Sequence, residues 1–166
     1  IGPREAPVTI VEFFDPACET CRAFYPVVKE LMQQYPTEVR LVIRYAPFHQ
    51  GSEQVVKLLE SARRQDKYLA VLEAVLAAQP QWADHGTPNL ELAYKAAEQA
   101  GLDMQRARAD IAAPALDAVV LQDVQDLTAL KVEKTPTFFV NGRPLPSFGH
   151  KQLTDLVAQE VSKTKK

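Results

Sequence analysis

Cys18 and Cys21 are the only cysteines of this 166-residue chain, and they stand three positions apart in the stretch FFDPACETCRAF. Two thiols at that spacing can hold a metal, staple the chain, or pass electrons by making and breaking a disulfide. A staple is a poor use of them. Loop-closure stabilisation grows with ring size, and a Cys-x-x-Cys ring is about the shortest that forms. A structural zinc site needs about four Cys or His ligands. Only His49, His85 and His150 remain to supply them, no two at a close ligand spacing, so each reads first as a surface or capping residue. Two thiolates alone suit the soft copper(I) ion; a copper(I) carrier, or a peptide-holding protein without turnover, stays open as the alternative. A redox pair needs no metal or cofactor, because the electrons reside in the sulfurs.

Redox work requires particular elements around the pair. Residues 8–14, VTIVEFF, read as a strand that is apolar nearly throughout, as a central strand covered on both faces would be. Pro16 closes it. From Cys18 to about Tyr35 the residues Phe24, Val27, Val28, Leu31 and Met32 recur at helical spacing, with Pro26 predicting a kink or break. Residues 39–45 form a second strand ended by Pro47. Strand, helix, strand is a βαβ unit with parallel strands and a right-handed crossover. Cys18 then sits where the first strand hands over to the helix, facing free N–H groups and the positive end of the helix dipole, which favours thiolate over thiol. Cys21, one turn deeper, is placed to attack a mixed disulfide formed on Cys18.

The next eighty residues have a different texture, rich in Ala, Leu, Glu, Gln and Lys. They predict four or five helices near 52–65, 67–79, 89–100, 103–112 and 115–130, broken at Asp66, Pro80, Gly101-Leu102-Asp103 and Pro114. Strand character returns at residues 137–140, and Asn141-Gly142 signals a hairpin. Its partner, expected around Leu145 to Phe148 and carrying Pro144 and Pro146, must be an edge strand. A final amphipathic helix is expected over 151–162, and Lys163 to Lys166 read as a frayed, solvated end. The fold class is α/β: a sheet domain of residues 1–50 and 131–166, with an all-helical insertion of residues 51–130.

With 46% hydrophobic residues the chain can bury a core unaided by staples, and a formal net charge of −2 makes no electrostatic case for nucleic acid or an anionic membrane. No apolar run approaches the roughly 20 residues needed to span a bilayer. No secretory leader is visible either, since Ile1 opens almost directly onto the first strand, as it would in a mature chain.

Two stretches carry a family resemblance. GPREAPVTIVEFFDPACETC resembles the opening of the DsbA-like branch of the thioredoxin superfamily, and KTPTFFVNG resembles its threonine-proline strand and hairpin. The helical block resembles the family in position and character. The resemblance implies a thioredoxin-like fold, a mixed sheet flanked by helices, and thiol–disulfide exchange with protein or peptide substrates. It also implies a redox partner protein that recycles the pair and a periplasmic or extracytoplasmic setting.

Glu12 and Thr135-Pro136 gain roles from it. A carboxylate in a buried apolar strand is costly unless paired or neutral, and Glu12 alone reads equally as a hydrogen-bonded structural acid or a proton-transfer acid. By resemblance it is the buried acid beneath the cysteines that takes the proton Cys21 must lose. Pro136 alone reads as a trans proline opening a strand. By resemblance the bond is cis, and Thr135 offers its backbone to an extended substrate. Glu19 and Thr20, between the cysteines, set the redox poise. Glu12, Asp15 and Glu19 surround Cys18 with acid against Arg22 alone, which predicts a raised Cys18 pKa and a weaker oxidant than DsbA, whose intervening dipeptide is not acidic, with isomerase or reductase activity open to it. Trp82 reads as a packed loop aromatic, and Phe13, Phe14, Phe138 and Phe139 as sheet core.

Overall fold

The structure is a computed structural model that describes residues 1–83 and 87–165. His85 and Lys166 lie outside the described residues. Strand β1 (Val8–Phe14) is followed by helix α1 (Glu19–Gln34) and strand β2 (Val39–Tyr45). Six helices come next among the described residues: α2 (Ser52–Arg64), α3 (Tyr68–Ala77), α4 (Gln79–Trp82), α5 (Leu90–Gln99), α6 (Met104–Ala112) and α7 (Pro114–Ala129). Strand β3 (Thr137–Val140), strand β4 (Arg143–Pro144) and helix α8 (His150–Lys163) complete the chain. The sheet order is β2-β1-β3-β4, with β1 parallel to β2 and antiparallel to β3. This mixed sheet, interrupted by a helical block, is the thioredoxin-like arrangement.

Alternation along β1 sorts its side chains between two layers. Val8 and Ile10 join Val28 and Leu31 of α1 and Leu153, Leu156, Val157 and Val161 of α8 in one buried cluster. Val11 and Phe13 turn the other way, toward Leu127 of α7 and Val132. Both faces are therefore covered, which is why the strand is apolar nearly throughout. A third cluster joins Phe14, both cysteines and Tyr45 to the helical block, with Val55, Leu58, Leu59, Leu72 and Trp82 fully buried in it. The helical block thus packs directly against the cysteine end of the sheet.

Three local expectations are corrected. Helix α1 is not broken at Pro26; Pro26 is exposed, so the carbonyl that loses its partner there can turn to water. Pro80 opens the short helix α4, in the first turn where a missing N–H costs nothing. The hairpin partner is Arg143–Pro144, pairing Val140 with Arg143 and Phe139 with Pro144, and not residues 145–148. The tight turn through Asn141 (φ 50°) and Gly142 (φ 80°) sets this short pairing, and Pro144 and Pro146 supply no N–H to extend it.

Helix α7 is fixed to β2 by charge as well as packing. Arg44 Nε donates to Asp123 Oδ1 at 2.7 Å, the Tyr45 N–H donates to Asp123 Oδ2 at 3.0 Å, and Arg44 also pairs with Asp126. Asp123→Ala would leave the buried Tyr45 N–H without its acceptor. A loss of about 2 kcal/mol is expected, read as a lower denaturant midpoint with an unchanged slope.

Candidate active site

The site is built where β1 runs out. Asp15, Pro16 and Ala17 carry the chain over the strand end, and Cys18 takes the N-cap of α1 with an extended backbone (φ −84°, ψ 125°). No side chain caps the helix in the usual way, so its first N–H groups are left to the sulfur as it ionises. Both cysteines are free thiols. Cys18 retains 9% exposure whereas Cys21 has none, so only Cys18 is open to an incoming sulfur. The Cys18 N–H donates to the Asp15 carbonyl at 3.0 Å, and the Asp15 N–H donates to Cys21 Sγ at 3.5 Å. Across the site the Thr135–Pro136 bond is cis, and Cys18 Sγ lies 3.5 Å from the Thr135 carbonyl oxygen.

The two thiols are pushed in opposite directions. Cys18 is lowered to about 5, first by the hydrogen bond from Cys21 and, against burial, by the Thr135 side chain and the backbone N–H groups of Cys21 and Thr20. Cys21 is driven far up by burial, and further because its proton is held on Cys18. Glu12 is buried on β1, opposite Ile43 on β2 and Phe138 on β3. Burial first, then the Cys18 charge, pushes its carboxyl up to about 8. Glu12 therefore holds a proton at neutral pH.

The acids around Cys18 are outweighed by the bonds that favour its thiolate, and two of the three are themselves altered by their surroundings. Glu12 is neutral when Cys18 is charged. Asp15 is fully buried, and its carboxylate is occupied by the N–H groups of Ala17 (2.9 Å), Phe48 (2.9 Å) and His49 (3.2 Å), by the Ser52 hydroxyl (2.6 Å) and by His49 Nδ1 (2.7 Å). The bond of His49 Nδ1 to the Asp15 carboxylate raises the His49 pKa, with the Cys18 thiolate adding to it, so the Asp15 carboxylate is fully engaged by its own neighbours. Glu19 and Thr20 are both exposed, where water screens charge.

The structure brings Glu12, Cys18, Cys21 and Thr135-Pro136 together, with Glu19 and Thr20 on the outer side of the first helical turn. Two neighbours were not anticipated. His49, read as a surface residue, is the partner of Asp15. Gln79, on α4, donates from Nε2 to the carbonyls of Pro16 (2.7 Å) and Cys18 (2.9 Å). Nothing in the composition around either residue marks it. Trp82 is buried, its Nε1–H donating to the Val75 carbonyl at 2.9 Å, so it packs the helical block and lines no groove. His150 is exposed at the start of α8, and among the described residues no group of three or more His, Cys, Asp or Glu side chains stands together as a metal site would.

A βαβ unit whose helix is entered at a cysteine, with a helical block inserted before an antiparallel hairpin, is a thioredoxin-like architecture. Residues 1–159 match the thioredoxin family, and the chain belongs to it. It is 32% identical to a thioredoxin-like oxidoreductase from Silicibacter pomeroyi DSS-3, with a TM-score of 0.83 over 98% of this chain and 91% of that one. Oxidised BdbD from Bacillus subtilis shares the fold at 19% identity, with a TM-score of 0.85 over 98% and 91% of the two chains. The Na(+)/H(+) antiporter NhaA 3 of Salinispora tropica is 38% identical over 145 residues, 86% of this chain but 21% of the antiporter. This chain thus spans about a fifth of the length of the curated relatives it matches. Among the described residues no helix is long and apolar enough to cross a membrane.

Proposed function

We propose that the chain exchanges disulfides with protein or peptide substrates, with Cys18 as the attacking thiol and Cys21 as the resolving one. The observation that carries this is the placement of the pair: Cys18 open at the N-terminus of α1 and facing the cis Thr135-Pro136 bond, with Cys21 fully buried one turn behind it, a setting that lowers the pKa of the first and raises that of the second. In the reducing direction the Cys18 thiolate attacks a substrate disulfide, and one substrate sulfur leaves as thiolate. The Cys18 charge is thereby lost. Cys21 then has no acceptor to hold its proton, and Glu12, raised first by burial and then by the thiolate it no longer faces, becomes acidic enough to give its proton to the departed substrate thiolate. Glu12 takes the Cys21 proton, Cys21 attacks Cys18, and the second substrate sulfur departs and is protonated. Two electrons pass to the substrate, leaving Cys18–Cys21 oxidised; oxidation of a substrate dithiol runs the same steps backwards.

Thr135 and Pro136 flank Cys18 and would align an extended substrate segment by backbone hydrogen bonds, while Glu19 and Thr20, between the cysteines, tune the redox poise, Thr20 through its backbone N–H. A redox partner protein must recycle the pair. An extracytoplasmic setting suits a pair that cycles through a disulfide.

The poise also sets the direction. A thiolate pKa of about 5 lies between those of DsbA, about 3.5, and thioredoxin, about 7. A weaker oxidant than DsbA follows, able to reduce or isomerise as well as oxidise. The expected thiolate absorbance titrates with a midpoint near pH 5, and the reduction potential falls between about −120 and −270 mV. Insulin reduction and recovery of a scrambled disulfide protein should both be measurable. A titration midpoint near 9 with no turnover of either substrate defeats the proposal.

A further inference from the structure

From the helical block, Gln79 binds the backbone carbonyls of the turn from β1 into α1. Gln79 is 2% exposed, and its Nε2 lies 2.7 Å from the Pro16 oxygen and 2.9 Å from the Cys18 oxygen. Both partners are carbonyls, which only accept, so the nitrogen end of the amide must face them. Its own oxygen is buried without a hydrogen-bond partner among the described residues. An apolar side chain of similar volume would avoid that cost, so plain packing does not account for a glutamine here.

The consequence for Cys18 is specific. Its carbonyl accepts from Arg22 N at 3.2 Å inside the helix and from Gln79 outside it, while its N–H is bound to the Asp15 carbonyl at 3.0 Å. The backbone of Cys18 is thus fixed at both ends, and the sulfur is the part left to move. Fixing the carbonyl fixes the first turn, whose Thr20 and Cys21 N–H groups stabilise the thiolate. The positive end of the Gln79 amide also points into this turn.

We propose that Gln79 is a positioning residue for disulfide exchange: by binding the carbonyls of Pro16 and Cys18 it holds the Cys18 sulfur against the N-terminus of α1, and so makes the helical block part of the redox site. This rests on the exchange function proposed above and names a residue outside the cysteine motif that governs it.

The test compares Gln79→Met, which removes the donors at similar volume, with Gln79→Lys, which restores an N–H donor. Thiolate absorbance against pH, equilibrium with glutathione and the thermal midpoint are measured on each variant and on the unchanged protein. For Gln79→Met the Cys18 midpoint should rise by about one pH unit, and the glutathione equilibrium should move up to about tenfold toward the disulfide. Gln79→Lys should return both toward the unchanged protein. If it does not fold, Gln79→Met decides alone. A folded Gln79→Met with unshifted titration and equilibrium overturns the proposal and leaves Gln79 as packing. Insulin turnover by the unchanged protein separates the two readings. No turnover with a shifted titration defeats the exchange function and keeps the coupling, and turnover with no shift does the reverse.

Discussion

Cys21→Ser is expected to turn the protein from a catalyst into a trap. Cys18 remains ionised and accessible, so it still attacks a substrate disulfide, but no second thiol lies behind it to complete the exchange. Turnover of insulin should fall by at least about a thousandfold, while a mixed disulfide on Cys18 accumulates and is visible on a non-reducing gel. Serine keeps a hydroxyl that can donate to Cys18, whereas Cys21→Ala removes the donor. Because the Cys21 hydrogen bond is the largest influence lowering the Cys18 pKa, the alanine variant should titrate one to two units higher, about as one lost charge-assisted bond implies. The serine variant should stay close to the unchanged protein. Equal titrations for the two variants would show that helix and Thr135 alone hold the thiolate.

Glu12→Gln separates stability from rate. The Glu12 carboxyl ionises near 8 in the fold against an ordinary 4.5. A raised acid is fully accommodated below pH 4.5, where it is neutral in both states. Between 4.5 and 8 the unfolded chain releases a proton that the folded chain keeps, so stability falls as pH rises through that window. Glutamine carries no such proton. The variant should match the unchanged protein near pH 4 and exceed it by roughly 3 kcal/mol at pH 7, from about 2.5 units at 1.36 kcal/mol each. Without an acid to accept the Cys21 proton, resolution of the mixed disulfide should slow by about a hundredfold near neutrality. Denaturant melts across pH and stopped-flow resolution rates check the two halves. A variant that is no more stable at pH 7 than at pH 4, relative to the unchanged protein, would falsify the buried neutral acid.

Much of this was legible in the chain. The spacing of Cys18 and Cys21 carries redox chemistry because their covalent reaction depends on proximity, and proximity along the chain survives folding. Glu12 stood out because an acid in an apolar strand conflicts with its surroundings. Strands β1 and β2 were legible because sheet burial writes itself into runs of apolar residues. Strand β4 and helix α4 were misjudged because two and four residues are too short to show a period. The Asp15–His49 pair and the bonds of Gln79 to Pro16 and Cys18 join residues 34, 63 and 61 positions apart, and no local pattern records such meetings. Counting charges is a coarse guide to Cys18 for a related reason. A count takes every carboxylate as ionised and unpaired, whereas burial raises the Glu12 carboxyl and Asp15 is bonded by its neighbours.

The pairing of β1 has a consequence for how this chain can vary. Glu12 lies between Ile43 and Phe138, on the face that Ile10 shares with α1. Successive strand residues face opposite ways, so sliding β1 by one position would bring Val11 or Phe13 beneath the cysteines and turn the acid toward α7. The sheet would remain apolar and paired, yet the proton acceptor would be gone. An insertion or deletion between Val8 and Cys18 is therefore expected to silence the chemistry while leaving a folded domain. Lengthening the loops of the helical block away from α4 should cost far less. The strand acts as a ruler whose zero mark is the hydrogen-bonded register with its two neighbours.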